Sequence, residues 1–234
     1  KNLKRLFIGE NKFSNENYQY LKKNLFKGQK VLVIGGGTQG DGSKSFYDRC
    51  KNLNISLEII DIYKSNECTI IADAHYLPYK DKCFDFVIIQ AVLEHVAFPY
   101  IVVDEIKRVL KNGGIVYSEM PFMQNVHEGP YDFTRYSHSG HRLLFREFDE
   151  IKSGVHQGAF SSLLFISSNT ISSFTRIKFL GPIVRLLFSR ISRFMDSLMD
   201  NKDNVDIACG TFLICSKSKF KNEKVNNKWI TNFY

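Results

Sequence analysis

The chain has 234 residues but only one tryptophan, five prolines and four methionines, and no low-complexity tract or internal repeat interrupts it. Its five cysteines (Cys50, Cys68, Cys83, Cys209 and Cys215) are odd in number and form no CxxC pair. That argues against a disulfide framework and against a structural zinc site. Reduced thiols in a cytoplasmic protein are the expectation. No run of about 18 apolar residues occurs, so no segment is expected to cross a bilayer. Residues 1–10 lack the apolar core of a secretory leader, and none is expected there.

A 44% hydrophobic and 24% charged composition excludes a disordered, collagenous or polytopic membrane chain. At this length one domain of generous size can bury a core unaided. The net charge of +8 is unevenly spread: residues 1–30 carry +6, residues 31–150 carry −5 and residues 151–234 carry +7. A nucleic-acid enzyme tends to surround its site with positive charge, whereas here the middle, motif-bearing block is acidic. The basic flanks suit phosphate, anionic lipid or an acidic polymer.

Short apolar runs alternate with helical patterns. Strands are expected at 30–34 (KVLVI), 56–62 (SLEIIDI), 68–71 (CTII), 84–90 (FDFVIIQ) and 114–120 (GIVYSEM). Two late strands are expected at 150–155 and 208–215. Helices are expected over 14–27, with Ser14 as N-cap, over 43–53 and over 102–110. Alternation of this kind implies crossover connections and a parallel sheet covered on both faces. Residues 160–204 form a helical stretch too long for a plain connection and read as an insertion in a single domain spanning 1–234.

The first strand runs into Gly35-Gly36-Gly37-Thr38-Gln39-Gly40. Glycines there allow a tight turn and let a ligand lie against bare amides. Gly35, Gly37 and Gly40 satisfy GxGxxG, and Asp61 follows Gly40 by 21 residues at the end of the second strand. A carboxylate so placed can accept hydrogen bonds from both hydroxyls of a ribose, which favours an adenosine-bearing cofactor.

Further along stand Asp73-Ala74, Leu77-Pro78-Tyr79, Cys83-Phe84-Asp85-Phe86-Val87, the segment Gln90 to Val96 containing Leu93-Glu94-His95, and Leu110-Lys111-Asn112-Gly113-Gly114. In this order and spacing, over about residues 30–122, the chain closely resembles the class I S-adenosylmethionine-dependent methyltransferases of the broad small-molecule type. The resemblance implies a Rossmann-like, seven-stranded, mostly parallel sheet with helices on both faces and a helical insertion, about 156–204, before the last strand. It also implies S-adenosyl-L-methionine as cofactor. Gly35, Gly36, Gly37 and Gly40 would lie under its methionine part, Asp61 on the ribose and Ile62 against the adenine. Asp73 would meet the adenine amino group beside Ala74, with Gln90 near the methionine end. One position departs from the pattern: Val33 stands where members usually carry an acid that orients the cofactor's ammonium. The triple glycine is also similar to that of aminopropyltransferases, but their acidic motif after the fourth strand is missing at Ile88-Ile89-Gln90-Ala91.

Methyl transfer to a hydroxyl needs an aligned acceptor and a base. The loop after the fifth strand is dense in candidates, and it resembles a segment of bacterial methyltransferases linked to surface glycans. His127 is the first candidate for base and His95 the second. Tyr131, Asp132, Arg135 and Tyr136 are candidate acceptor contacts, although Asp132 with Arg135 reads equally well as a structural pair holding the loop. No metal is expected; Asp132, Glu128 and His127 would make at most a weak divalent site. The pattern from Pro182 to Met199 is an amphipathic helix with Arg185, Arg190 and Arg193 between its apolar residues. A lid packed on the acceptor pocket is the first reading of it. Peripheral contact with anionic lipid and a homodimer interface are the others. The expected function is O-methylation of a small molecule, nucleotide-sugar or surface-glycan precursor. The alternatives are a nicotinamide-dependent oxidoreductase, an RNA methyltransferase and an inactive cofactor-binding module.

Overall fold

The structure is a computed structural model that describes residues 11–36, 43–200 and 204–218. Seven strands form one sheet: β1 (Lys30–Ile34), β2 (Ser56–Asp61), β3 (Ile70–Ile71), β4 (Phe84–Gln90), β5 (Leu110–Pro121), β6 (Asp149–Gln157) and β7 (Gly210–Ser216). Their order is β3-β2-β1-β4-β5-β7-β6. The first five are parallel, and β7 runs antiparallel to both β5 and β6. The helices are α1 (Lys12–Lys23), α2 (Ser43–Asn52), α3 (Pro99–Val109), α4 (His138–Leu144), α5 (Ala159–Thr175) and α6 (Leu180–Asp196). This is the expected Rossmann-like sheet, with the helical insertion between β6 and β7.

Successive strand side chains point to opposite faces, and β1 shows the consequence. Val31 and Val33 pack with Tyr18 and Leu21 of α1 and Phe46 of α2. Leu32 and Ile34 pack with Val102, Ile106 and Val109 of α3. A strand apolar at every position can sit only where both faces are covered, which places β1 and β4 in the middle of the sheet.

Local details differ from the sequence expectation. The N-cap of α1 is Asn11, whose side chain accepts the Ser14 N–H at 3.1 Å. Ser14 lies inside the first turn, and its buried hydroxyl donates to Glu119 at 3.1 Å. α3 begins at Pro99, before the expected start, because proline's fixed φ suits a first turn. β3 is only two residues long. β5 pairs already from Leu110, with a register shift opposite Phe84–Phe86 that absorbs the Asn112-Gly113-Gly114 turn.

The insertion is a helical hairpin. Its two ends are tied at Asp196, the last residue of α6. The Asp196 carboxylate accepts from the N–H groups of Gly158 (3.1 Å) and Phe160 (2.8 Å) and from the Ser161 hydroxyl (2.6 Å), so it caps the start of α5. Small and polar residues fill the seam between the helices. A Cβ on Gly181 would come within 2.6 Å of the Ser168 carbonyl, and Arg185 donates to Asn169 at 2.7 Å. The large apolar side chains point outward: Phe174 is 89% exposed, and Leu163, Phe179, Leu187, Ile191 and Phe194 are exposed as well. The first sequence reading had this apolar stripe packed on the pocket. The structure instead turns it to the surface, because the small side chains at Ser168 and Gly181 let the backbones meet. No helix of the described residues is long and apolar enough to cross a membrane.

α4 carries two buried histidines against the sheet. His141 meets the Ser118 hydroxyl at 2.9 Å and the Thr211 hydroxyl at 3.1 Å. Burial holds its pKa down to about 3 and that of His138 down to about 4. Both folded values lie below the ordinary 6.5, so these groups favour folding fully above pH 6.5 and progressively less as pH falls toward 4 and 3. Denaturant unfolding at a series of pH values should therefore show stability falling through this window. His141→Gln should be less stable at neutral pH but show a flatter decline. An equal slope in both proteins would remove His141 as a cause.

Candidate active site

The strand order reverses between β1 and β4, and a crevice opens there at the carboxyl ends of the strands. On its β1 side the chain leaves Ile34 through Gly35, whose φ is +70°. A Cβ at Gly35 would lie 2.1 Å from Val92 Cγ2, and one at Gly36 would lie 2.5 Å from Ile59 Cγ2. No side chain fits at either position, so bare backbone faces the opening. Both N–H groups donate to the Ile60 carbonyl, at 2.9 and 3.3 Å, which anchors the turn to β2. On the β4 side Ala91 holds φ +51°, a sparsely populated conformation for a residue with a side chain. The cavity between them has a volume of about 260 Å³, and Gln90, Glu119, Gln124 and His156 join Gly35 and Gly36 in its wall.

The floor is a buried polar network. Glu119, near the end of β5, accepts from Gln90 Nε2 at 2.7 Å, from the Ser14 hydroxyl at 3.1 Å and from the Tyr117 hydroxyl. Gln90 in turn accepts from the Tyr18 hydroxyl. At the outer end of β2, Asp61 accepts the Tyr63 N–H at 3.0 Å beside the exposed Ile62. Past β3, Asp73 accepts from the His75 N–H (2.9 Å) and meets the His75 imidazole (2.6 Å), next to the buried Ala74. Partial burial raises the Asp73 pKa, but these contacts outweigh it and leave the carboxyl below its usual range.

Beyond β5, residues 122–136 fold back over the turn that follows β4. The N–H of Phe133 donates to the Glu94 carbonyl at 2.8 Å, and Arg135 Nε donates to the Gln124 carbonyl at 3.2 Å. Asp132 is the hub. Its buried carboxylate takes a bidentate grip from Arg135, with Nη2 at 2.7 Å, and accepts the His127 N–H at 2.9 Å. The Arg135 guanidinium, then burial working against it, then the His127 N–H leave the Asp132 pKa at about 2. This fold-back brings His95 and His127 together, Nε2 to Nε2 at 3.1 Å. Glu94 lies beside them, fully buried, with no hydrogen-bond partner for either carboxylate oxygen among the described residues. Burial pushes its pKa up to about 7.

Residues 32–118 match the family model for a methyltransferase domain. Over that stretch the chain is similar to methyltransferase domains. Two uncharacterized proteins of Methanocaldococcus jannaschii are similar to it. One is 40% identical over 104 residues, covering 42% of this chain and 44% of that protein. The other is 41% identical over 95 residues, covering 40% and 45%. The chain thus spans less than half the length of these relatives. Solved structures share the fold at low identity. Phosphoethanolamine N-methyltransferase 2 of Haemonchus contortus in complex with S-adenosyl-L-methionine is 16% identical with TM-score 0.56, over 92% of this chain and 56% of that one. An S-adenosylmethionine-dependent methyltransferase of Archaeoglobus fulgidus is 17% identical with TM-score 0.54, over 92% and 98%. The [4+2]-cyclase SpnF is 16% identical with TM-score 0.55, over 87% and 81%.

S-adenosylmethionine is the cofactor of such domains, and this chain offers groups that fit it: a side-chain-free turn at Gly35 and Gly36, and carboxylates at Asp61 and Glu119. Gly37 and Gly40 lie outside the described residues. Asp61, Ile62, Asp73, Ala74 and Gln90 all fall at the carboxyl ends of β2, β3 and β4. Gln90 lines the cavity. On the acceptor side His95 precedes α3, in the turn after β4, and its Nδ1 meets the Tyr131 carbonyl at 2.7 Å. Tyr131 is exposed, whereas Tyr136 packs against the core. Of the three expected weak metal ligands, Asp132 is spent on Arg135 and Glu128 stays apart. The carboxylate that joins His127 is Glu94.

Sequence reasoning missed three residues. Glu119 ends an otherwise apolar strand, which is the available signal for a pocket-facing acid. Glu94 stands inside Leu93-Glu94-His95, where nothing in the spacing marks its carboxylate as buried beside a histidine of another loop. His156 sits one residue before the end of β6 and 3.7 Å from Glu119.

Asp132→Asn should cost about 2 kcal/mol, because Arg135 loses a charge-assisted partner in a half-buried setting. Chemical unfolding would measure it, and limited proteolysis should find new cleavage within residues 122–136. Full stability with an unchanged cleavage pattern would mean that the pair does not hold the loop.

Proposed function

We propose that the protein binds S-adenosylmethionine in the β1–β4 crevice and transfers its methyl group to an oxygen of a small molecule, nucleotide-sugar or surface-glycan precursor. The observation that carries this reading is the left-handed glycine turn at Gly35 opening over a cavity whose one carboxylate, among the described residues, is Glu119. When bound, S-adenosylmethionine supplies a methyl carbon on a sulfonium and a thioether leaving group. Asp61 accepts hydrogen bonds from the ribose hydroxyls. Glu119 takes the part of the acid missing at Val33: it lines the same cavity and offers a buried carboxylate to an ammonium. The loop over residues 122–136 closes the acceptor side and excludes water. Its His127, with His95 behind it, receives the acceptor's proton. These groups align the reactants, and alignment is the larger share of what the protein contributes to a displacement of this kind.

Calorimetric titration with S-adenosylhomocysteine and with NAD separates this reading from an oxidoreductase. S-adenosylhomocysteine should bind and NAD should not. Asp61→Ala and Glu119→Gln should each weaken S-adenosylhomocysteine by about tenfold or more, the worth of a hydrogen bond to a charged group. His127→Ala should keep the cofactor affinity and lose about a hundredfold or more in turnover. Heat from NAD alone would overturn the assignment.

The hairpin favours a lipid-linked acceptor. Residues 159–195 contain five basic residues and no acidic one, and their large apolar side chains face outward. A surface with exposed Phe174 and Phe179 next to Arg176 and Lys178 suits an anionic bilayer interface. Its base adjoins the cavity, since His156 and Gln157 line the cavity and Gly158 begins the cap of α5. Wild type should float with vesicles containing phosphatidylglycerol, and a variant with Arg185, Arg190 and Arg193 all changed to Glu should float much less. A wild type that stays at the bottom of the gradient, as monomer or dimer, rejects membrane contact.

A further inference from the structure

We propose that Glu94, His95 and His127 form a binding site for one divalent transition-metal ion of the zinc type. Their three nearest ligand atoms lie within 4.8 Å of one another. The two imidazole Nε2 atoms are 3.1 Å apart, and Glu94 Oε1 is 3.5 Å from His95 Nε2. A tetrahedral ion with bonds of about 2.0–2.1 Å holds its ligand atoms about 3.3 Å from each other, so the two separations at His95 Nε2 are those of ligands around one centre.

The proton positions point the same way. His95 Nδ1 lies 2.7 Å from the Tyr131 carbonyl, an acceptor only, so Nδ1 carries the hydrogen. His127 Nδ1 faces two acceptors, the Asp132 carboxylate at 3.3 Å and the Asn125 carbonyl at 3.4 Å. Arg135 Nη2 is 3.5 Å from the same nitrogen but is engaged by Asp132 at 2.7 Å. With both Nδ1 atoms protonated, both Nε2 lone pairs face each other across 3.1 Å, an arrangement satisfied by a shared proton or by a metal ion that both can ligate. Hydrogen bonds of this kind on the far nitrogen are what orient metal-binding imidazoles.

The second observation is Glu94. Its side chain is fully buried, yet neither carboxylate oxygen finds a hydrogen-bond donor among the described residues. A buried carboxylate without a partner is costly unless it is neutralised or coordinates an ion. Two imidazoles and one carboxylate select a borderline first-row ion such as Zn²⁺ over Mg²⁺ or Ca²⁺, which prefer all-oxygen shells. Three protein ligands leave a fourth position open, and an oxygen bound there becomes more acidic. Ion binding itself does not depend on the methyltransferase reading. Only this last consequence does: in the loaded protein an acceptor hydroxyl would be acidified by coordination and lose its proton to solvent, while His127 would act as the base only in the ion-free protein.

The test is calorimetric titration of the tag-free, chelator-stripped chain with Zn²⁺ alone. The expected result is one ion per chain, with Co²⁺ in its place giving the visible absorption of a four- or five-coordinate site. His127→Ala and Glu94→Gln should each weaken the ion by about tenfold or more. Cys68→Ser, which removes a partly exposed thiol, should change nothing. Glu94 is buried and its variant can misfold, whereas His127 is on an exposed loop and keeps the test decisive. No stoichiometric binding by wild type, or binding that survives His127→Ala and is lost in Cys68→Ser, overturns the site. The same stripped sample is titrated with S-adenosylhomocysteine. Cofactor binding without Zn²⁺ binding rejects the metal and spares the proposed function; the reverse result rejects the proposed function and spares the metal.

Discussion

Everything on the ligand side of this domain depends on the close approach of Gly35 to Val92. A Cβ at position 35 would sit 2.1 Å from a Val92 methyl, so the turn after β1 and the turn after β4 interlock only because the first has no side chain. Gly35 and Ala91, the residues that follow β1 and β4, both hold positive φ. Two strands that pair in register from Val31 to Ile34 therefore part at one level, and the cavity lies where they part. The strain at Ala91 is held by its own N–H, which donates to the Glu119 carbonyl at 3.0 Å. The residue that supplies the cavity's carboxylate thus also fixes the backbone opposite the glycine turn.

A second constraint governs the acceptor side. Residues 122–136 contain no long element of their own, and a segment this polar does not hold a shape by apolar burial. It is held by charge: Asp132 accepts from Arg135 and from the His127 backbone, and Arg135 reaches the Gln124 carbonyl. The two histidines meet because they are fixed from opposite sides, His127 by its backbone N–H on Asp132 and His95 by its ring Nδ1 on the Tyr131 carbonyl. That is pre-organisation by neighbours, the condition for a reactive or metal-binding cluster to keep its geometry.

Much of this was legible in the residues. Strands apolar at every position, such as Val31 to Ile34, announce burial on both faces, and the glycines followed by Asp61 announce a crevice with a ribose-sized acceptor of hydrogen bonds. What could not be read depended on distance in sequence. Glu119 and Ser14 are 105 residues apart yet share a hydrogen bond, and nothing local marks either as part of a pocket floor. Glu94 and His127 belong to different loops, so the carboxylate at His127's side could not be told from Glu128 or Asp132 by spacing. The helical insertion shows the limit of periodicity most plainly. An apolar stripe at 3.6-residue spacing states that one face is apolar, not what covers it. The seam at Ser168, Ser172 and Gly181 decides the matter, since small side chains there let the helices close on their polar sides and leave the leucines and phenylalanines outside.

The fold alone does not choose the chemistry, since a [4+2]-cyclase shares it at TM-score 0.55 with two methyltransferases near the same value. Cyclisation within one substrate needs a shaped enclosure but no group to take a proton from an acceptor hydroxyl. A hydroxyl nucleophile needs such a group within reach of the transferred carbon. Here an Asp132–Arg135 pair holds the loop after β5 so that His127 meets His95 beside the buried Glu94. On the proposed reading, these side chains are the ones that would take the proton of an oxygen acceptor.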